Sequence, residues 1–186
     1  MTVSEGKYFG RKQGKSFQRL SRFQNLLFDP TNTFFQSIID KTLVLEIGIG
    51  DGMKISKDAS KDLDKTFIGC DIFIDGILRV ARYQSEHKLK NLFVFHSDIQ
   101  SLVIHLPMNS LDTVRVFFPD PWPKTRHKKR RTFSASLLEQ IIPAMKPESS
   151  LEFATDHGDY FLDALILVSK YGFKTKIKTP DMWQYS

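Results

Sequence analysis

Five carboxylates stand at corresponding places in this chain. Glu46, Asp71, Asp98, Asp120 and Asp156 each fall at or just after the end of a short apolar run. Carboxylates gathered on one edge repel one another, so such a row lowers stability unless a ligand uses the charge. A cationic cluster accompanies them. Residues 115–131 read Arg-Val-Phe-Phe-Pro-Asp-Pro-Trp-Pro-Lys-Thr-Arg-His-Lys-Lys-Arg-Arg. Pro119, Pro121 and Pro123 fix φ and remove backbone donors, so this segment neither continues a sheet nor enters a helix interior. Asp120 is thereby held rigidly, and six Lys/Arg follow between Lys124 and Arg131 with no acid among them. The plainer alternative is a stiff surface turn followed by a solvated charge run.

The elements that position these groups read as alternating strands and helices. Residues 43–48 form a strand ending in Gly48-Ile49-Gly50-Asp51-Gly52, whose glycines allow a tight turn and a close approach of backbone to ligand. A helix over 53–60 follows, then a strand over 67–72 that ends on Asp71. An acid about twenty residues beyond a glycine-rich turn suits both hydroxyls of a ribose. The spacing predicts a helix over 74–87, with Ile77, Leu78 and Ala81 inward, and a third strand over 92–95. Asp98 follows that strand; its alternative role is a helix N-cap. A fourth strand spans 111–118 and leads into the proline segment. A helix over 133–145 carries Leu137, Leu138, Ile141 and Ile142 at core spacing, with Pro143 ending or kinking it. A fifth strand covers 150–154, a helix 160–171 and a sixth strand 173–179. Asp156 could instead cap that helix. An amphipathic helix over 31–40 precedes the first strand.

This order predicts an α/β fold with a doubly wound, mostly parallel sheet. In such sheets ligands bind outside the carboxyl ends of the strands. At 186 residues the chain suits one domain, 25–186, preceded by a basic arm over 1–24. Phe9, Phe17 and Phe23 of the arm would pack back on the domain or stack on bases. The formal charge is +6, and residues 1–22 with 122–131 hold twelve of the 27 Lys/Arg against one acid. The rest is left with fifteen bases against twenty acids, so the positive charge is local, as in a polyanion site. A single cysteine, Cys70, excludes an internal disulfide and points to a reducing, cytoplasmic setting. No apolar run is long enough to span a bilayer. The five histidines show no metal-ligand spacing, so no metal is expected.

Two ligands are common at such an edge, a dinucleotide and S-adenosylmethionine. A pyrophosphate prefers a clean helix N-terminus after the glycines. Here Asp51 lies inside the turn and Glu46 just before it, which suits a sulfonium and an α-amino group better.

Glu46-Ile47-Gly48-Ile49-Gly50-Asp51-Gly52, Phe117-Phe118-Pro119-Asp120-Pro121-Trp122-Pro123-Lys124, Arg126-His127-Lys128-Lys129-Arg130-Arg131 and Thr155-Asp156 closely resemble the bacterial tRNA (guanine-N7-)-methyltransferase family. Gly10-Arg11-Lys12-Gln13-Gly14-Lys15 is similar to that family's basic arm. The resemblance covers nearly the whole chain, and its proline-tryptophan motif is highly specific. It implies a Rossmann-like class I S-adenosylmethionine-dependent methyltransferase acting on tRNA. The target would be N7 of a guanine in the variable loop, usually position 46. Glu46, Gly48, Gly50, Asp71, Asp98 and Asp120 would bind the cofactor. Lys124 and Asp156 would contact substrate. Asp71 stands where the family more often has Glu. The family's terminal Thr-Lys-Phe-Glu segment has no counterpart after Thr179, so either the last strand is lacking or the guanine pocket is built differently.

Guanine N7 is an unprotonated lone-pair donor, so methyl transfer to it needs no general base. The expected work is placement and electrostatics, with Asp120 the catalytic candidate and Asp156 the alternative. Arg126, Lys128 and Arg130, with the other cations from Lys124 to Arg131, would hold phosphates. Trp122 would plug the loop or stack on a base. The rival readings are a non-catalytic tRNA-binding relative with a truncated guanine pocket and an NAD-dependent oxidoreductase. The expected state is a monomer or homodimer.

Overall fold

The computed structural model describes residues 31–178; the expected basic arm, residues 1–24, lies outside the described residues. The five strands are β1 (Thr42–Ile47), β2 (Lys65–Asp71), β3 (Leu92–His96), β4 (Leu111–Phe117) and β5 (Met145–Ala154). They form one sheet in the order β3-β2-β1-β4-β5, and every pairing is parallel. The helices are α1 (Asn32–Ile38), α2 (Met53–Lys61), α3 (Ile74–His87), α4 (Ile99–Val103), α5 (Ala135–Ile141) and α6 (Gly158–Lys170). Two 3₁₀ segments, Thr125–Arg130 and Ile142–Ala144, complete the described elements.

The apolar runs become strands because helices cover both faces of the sheet, so successive side chains are buried on opposite sides. Alternation sorts them into two cores. Val44, Phe67, Leu92 and Val94 pack with Ile55 and Ala59 of α2 and with Ile77, Val80 and Ala81 of α3. Leu43, Leu45, Ile47, Ile68, Cys70 and Phe95 pack on the other face, with Leu137 and Leu138 of α5 and Tyr160 and Ala164 of α6. The doubly wound, mostly parallel expectation therefore holds over the described residues.

Several expected boundaries change. The helix expected over 133–145 is two pieces, because Ser134 caps α5 through Leu137 N and Pro143 sits in the 3₁₀ turn. β5 begins at Met145 rather than Ser150. Its register with β4 slips between the pairs Leu111↔Met145 and Thr113↔Ser150, leaving Pro147 and Glu148 in an irregular stretch with Glu148 at φ 62°. That polar interruption reads as a turn in the sequence. The helix α4, one turn long, is the one implied by the N-cap alternative for Asp98. Residues 173–178 are irregular, so the sixth strand expected over 173–179 is not formed in its described part; Thr179 lies outside the described residues. Without a paired neighbour there, the Phe-Lys-Thr-Lys-Ile-Lys pattern has no ladder to join.

Candidate active site

An all-parallel sheet sends every strand's carboxyl end to one rim. Strand order then fixes the order of the acids along it: Asp98 after β3, Asp71 on β2, Glu46 on β1, Asp120 after β4 and Asp156 after β5. The chain reverses direction across the sheet between β1 and β4, so the crevice there lies between Glu46 with its glycine turn and Asp120.

The glycine turn uses left-handed backbone at Gly48 (φ 75°), Gly50 (φ 56°) and Gly52 (φ 72°), which L side chains rarely adopt. An added Cβ at Gly48 or Gly50 would meet nothing within 4 Å, so the space over the turn is open. Its amides are consumed internally. Gly48 and Ile49 donate to the Cys70 carbonyl at 2.9 and 3.4 Å, and Gly52 donates to Ile49. Gly50 donates to Asp71 Oδ2 at 2.8 Å, and Met53 donates to Asp51 Oδ1 at 3.0 Å. The other Asp71 oxygen accepts from Phe73 N at 2.7 Å. Asp71 thus joins the loops after β1 and β2. Ile72 and Phe73 beside it are half exposed.

Gly76 is a residue that sequence reasoning missed. An added Cβ there would lie 1.8 Å from the Gly50 carbonyl oxygen. The first turn of α3 therefore buttresses the glycine turn by direct backbone contact. The available signal was a glycine inside a helical pattern, which costs stability relative to Ala unless packing requires it.

Glu46 is buried, and its Oε2 has no hydrogen-bond partner. Desolvation raises its pKa to about 7, with Arg115 and Lys54 pulling the other way. Arg115 is its register partner on β4 and is itself held by Asp58 of α2 at 2.8 Å and Glu152 of β5 at 2.9 Å. Lys54 pairs with Asp58. Arg115, Lys54 and Asp58 were not singled out from the sequence, because their meeting depends on strand order.

Asp98 is the N-cap of α4, accepting from Ser101 N at 2.7 Å, so the capping alternative is realised. Asp156 is exposed and does not cap α6; His157 occupies that position. Asp120 is exposed between two residues with left-handed backbone, Phe118 at φ 48° and Trp122 at φ 41°.

The cationic run folds as the 3₁₀ segment Thr125–Arg130, and its charges divide. Lys124, Arg126, Lys129 and Arg130 are exposed. Lys128 pairs with Asp159 at 2.9 Å and Asp163 at 3.0 Å, which keep its ammonium protonated above the usual range. Arg131 turns inward and is buried, so the expectation that every cation from Arg126 to Arg131 faces phosphates is corrected there. Trp122 is half-buried, with the Arg130 guanidinium 4.9 Å from its ring and His127 edge-on at 5.8 Å. Among the described residues no cluster of three or more His, Cys, Asp or Glu could hold a metal, and no helix is long and apolar enough to cross a membrane.

Two outcomes test this geometry. Gly76→Ala should lower stability by on the order of 1–3 kcal/mol in urea denaturation, because two backbones must separate; wild-type stability would contradict the contact. For Glu46 the folded-state pKa is raised, so folding favours the protonated form and stability falls as pH rises from about 4.5 to about 7. Glu46→Gln should therefore be more stable than wild type at pH 8, with the gap closing toward pH 4.5 in thermal melts.

The comparisons with known proteins agree with this fold. A tRNA (guanine-N(7)-)-methyltransferase of Lactobacillus gasseri is 39% identical over 134 residues, covering 72% of this chain and 62% of that protein. The chain spans between 32% and 64% of the length of the curated relatives it matches. Among solved structures, that of an antibiotic related methyltransferase aligns with a TM-score of 0.60 at 23% identity, over 79% of this chain and 77% of its own. A 16S rRNA (adenine(1408)-N(1))-methyltransferase from Catenulisporales acidiphilia, solved with its cosubstrate SAM, aligns at 0.52 and 20% identity, over 68% and 57%. These two likenesses concern the fold. The model of one family, described as putative methyltransferase, matches residues 40–184, and this chain belongs to that family.

Proposed function

We propose that the protein transfers a methyl group from S-adenosylmethionine to N7 of a guanine in the variable loop of tRNA. The observation that carries this reading is the state of the glycine turn. Amides of Gly48, Ile49, Gly50, Gly52 and Met53 already have acceptors within the protein. A pyrophosphate would find those donors spent and two carboxylates, Asp51 and Asp71, in their place. A cationic ligand finds Glu46 buried with one oxygen unpartnered, and open space over Gly48 and Gly50. The name of the curated relative from Lactobacillus gasseri and the resemblance carried by the proline-tryptophan motif support the substrate class.

Glu46 would face the α-amino group of the cofactor. Asp71 would take the ribose hydroxyls on its remaining lone pairs, with Asp98 and the apolar Ile72 and Phe73 toward the base. When bound, S-adenosylmethionine supplies an electrophilic methyl on a sulfonium. The chain's own contribution is placement. Asp120 would accept from guanine N1–H and its amino group, aligning N7 and stabilising the positive charge that the purine gains. Asp156, across the rim beyond β5, would hold the far side of the nucleotide. Lys124, Arg126 and Arg130 would bind phosphates. Lys128 would join them by releasing one of its two carboxylates. Asp120 is exposed, so the base must come to it from solvent, and N7 carries no proton for the protein to remove.

Labelled-methyl transfer to unmodified tRNA, with the product base mapped, tests the activity. Asp120→Asn should reduce kcat by roughly 100-fold or more, and near-normal turnover would remove Asp120 from its role. Affinity for tRNA should fall steeply with salt, and Lys124→Ala should flatten the log–log slope by about one. A salt-independent affinity would overturn the phosphate assignment.

A further inference from the structure

We infer that Arg131 is a positioning residue: with Asp163 and Tyr160 it clamps the loop that carries Asp120, and it takes no part in RNA binding. The inference rests on the role proposed above for Asp120. Its observations are independent of that role.

The loop over 119–123 has a particular difficulty. Its three prolines have no N–H, so only Asp120 and Trp122 can donate from its backbone, and its carbonyls need donors from elsewhere. Left-handed backbone at Phe118 and Trp122 adds strain at both ends, and such conformations persist only where the surroundings impose them. Phe118 N ties the entry to the Ala154 carbonyl at 2.8 Å. The exit is tied by Arg131, whose Nε donates to the Pro121 carbonyl at 2.8 Å.

Two further side-chain contacts of Arg131 hold that Nε in place. Its Nη1 pairs with Asp163 Oδ2, and its guanidinium lies over the Tyr160 ring at 4.4 Å. Tyr160 is buried, and its hydroxyl accepts from Phe133 N at 2.8 Å. Tyr160 and Asp163 are three residues apart on α6 and so share one face of the helix. Phe153 of β5 packs against both Tyr160 and Phe133. The clamp is therefore rooted in the core.

Two features argue against the bland alternatives. The side chain is 4% exposed, too little to reach a phosphate, although Arg131 ends the most cationic run in the chain. Nη2 is buried with no acceptor, an unmet desolvation cost that a purely stabilising residue would avoid. What the arrangement secures is the geometry of Pro121, one residue from Asp120. A misplacement of about 1 Å in a reacting constellation is worth roughly 100-fold in rate.

The test uses Arg131→Lys and Asp163→Asn in the full-length protein. Lysine keeps the charge but cannot fork to both Pro121 and Asp163. The expected result is a kcat lowered 10- to 100-fold in both variants, with KM for tRNA unchanged in Arg131→Lys, the variant that leaves the Lys128 pairs with Asp159 and Asp163 in place. A weakened tRNA affinity with unchanged kcat in Arg131→Lys would make Arg131 an RNA contact and overturn the inference. Trp122 supplies a second reading that needs no substrate. With Trp183 replaced by Phe, Trp122 is the sole tryptophan. Its fluorescence anisotropy should fall and its acrylamide quenching rise in both clamp variants, measured where each remains folded. Unaltered Trp122 signals in both would refute the clamp even if methyl transfer by the wild type proved absent; altered signals would sustain it in that same case.

Discussion

The rim depends on Asp71 closing two loops into one surface. Its two oxygens accept from Gly50 N and Phe73 N, so the turn after β1 and the turn after β2 cannot move separately. Gly76 presses the start of α3 against the Gly50 carbonyl from behind. This closure has an electrostatic consequence as well as a geometric one. The turn's amides face inward to protein acceptors, so the helix N-terminus behind them loses much of its capacity for anions. The carboxylates that consumed those donors remain at the surface. The same hydrogen bonds that build the turn therefore set the sign of the ligand it can receive.

Opposite charges lie close together here without collapsing onto one another, because each sign has its own structural partners. Arg115 is taken by Asp58 and Glu152 on the α2 side of the sheet. Lys128 and Arg131 are taken by Asp159 and Asp163 on α6. The prolines then hold Asp120 out between these two networks. What remains outward is an acidic rim and, next to it, the exposed Lys124, Arg126, Lys129 and Arg130. The more exposed of these pairs, those of Lys128, add little stability. Their value here lies in keeping two fields apart.

The acids at strand ends were legible in the sequence for a physical reason. Strands buried on both faces are continuous apolar runs, and a parallel sheet delivers all their ends to one edge. The proline segment was legible because proline's constraints are local. By contrast, Glu46 meets Arg115, and Arg115 meets Asp58, only because β4 lies beside β1, and strand order is not a local property. The inward turn of Arg131 was hidden because a run of cations carries no apolar period to show which side chain faces the core. The start of β5 is masked in the sequence by Lys146-Pro147-Glu148-Ser149, whose polarity resembles a turn although it is an irregular stretch within the strand. The strand expected over 173–179 followed from alternation alone, which cannot supply the neighbour that a strand requires.

Glu46 shows how such a site can be acidic and still fold. A carboxylate buried without any cation would simply stay protonated, and it would then have no charge to offer. One fully paired with an arginine would be ionised but already satisfied. Here Arg115 and Lys54 are near enough to offset part of the desolvation, yet both are held by Asp58, and Arg115 by Glu152 as well. The balance leaves Glu46 titrating at about 7, with Oε2 unpartnered. It is thus close to ionisation under ordinary conditions, and a ligand ammonium needs to supply only the remaining part. A second full-strength cation in the same network would satisfy Glu46 and leave nothing for a cationic ligand to supply, so partial compensation is the condition under which the role proposed for Glu46 is open to it.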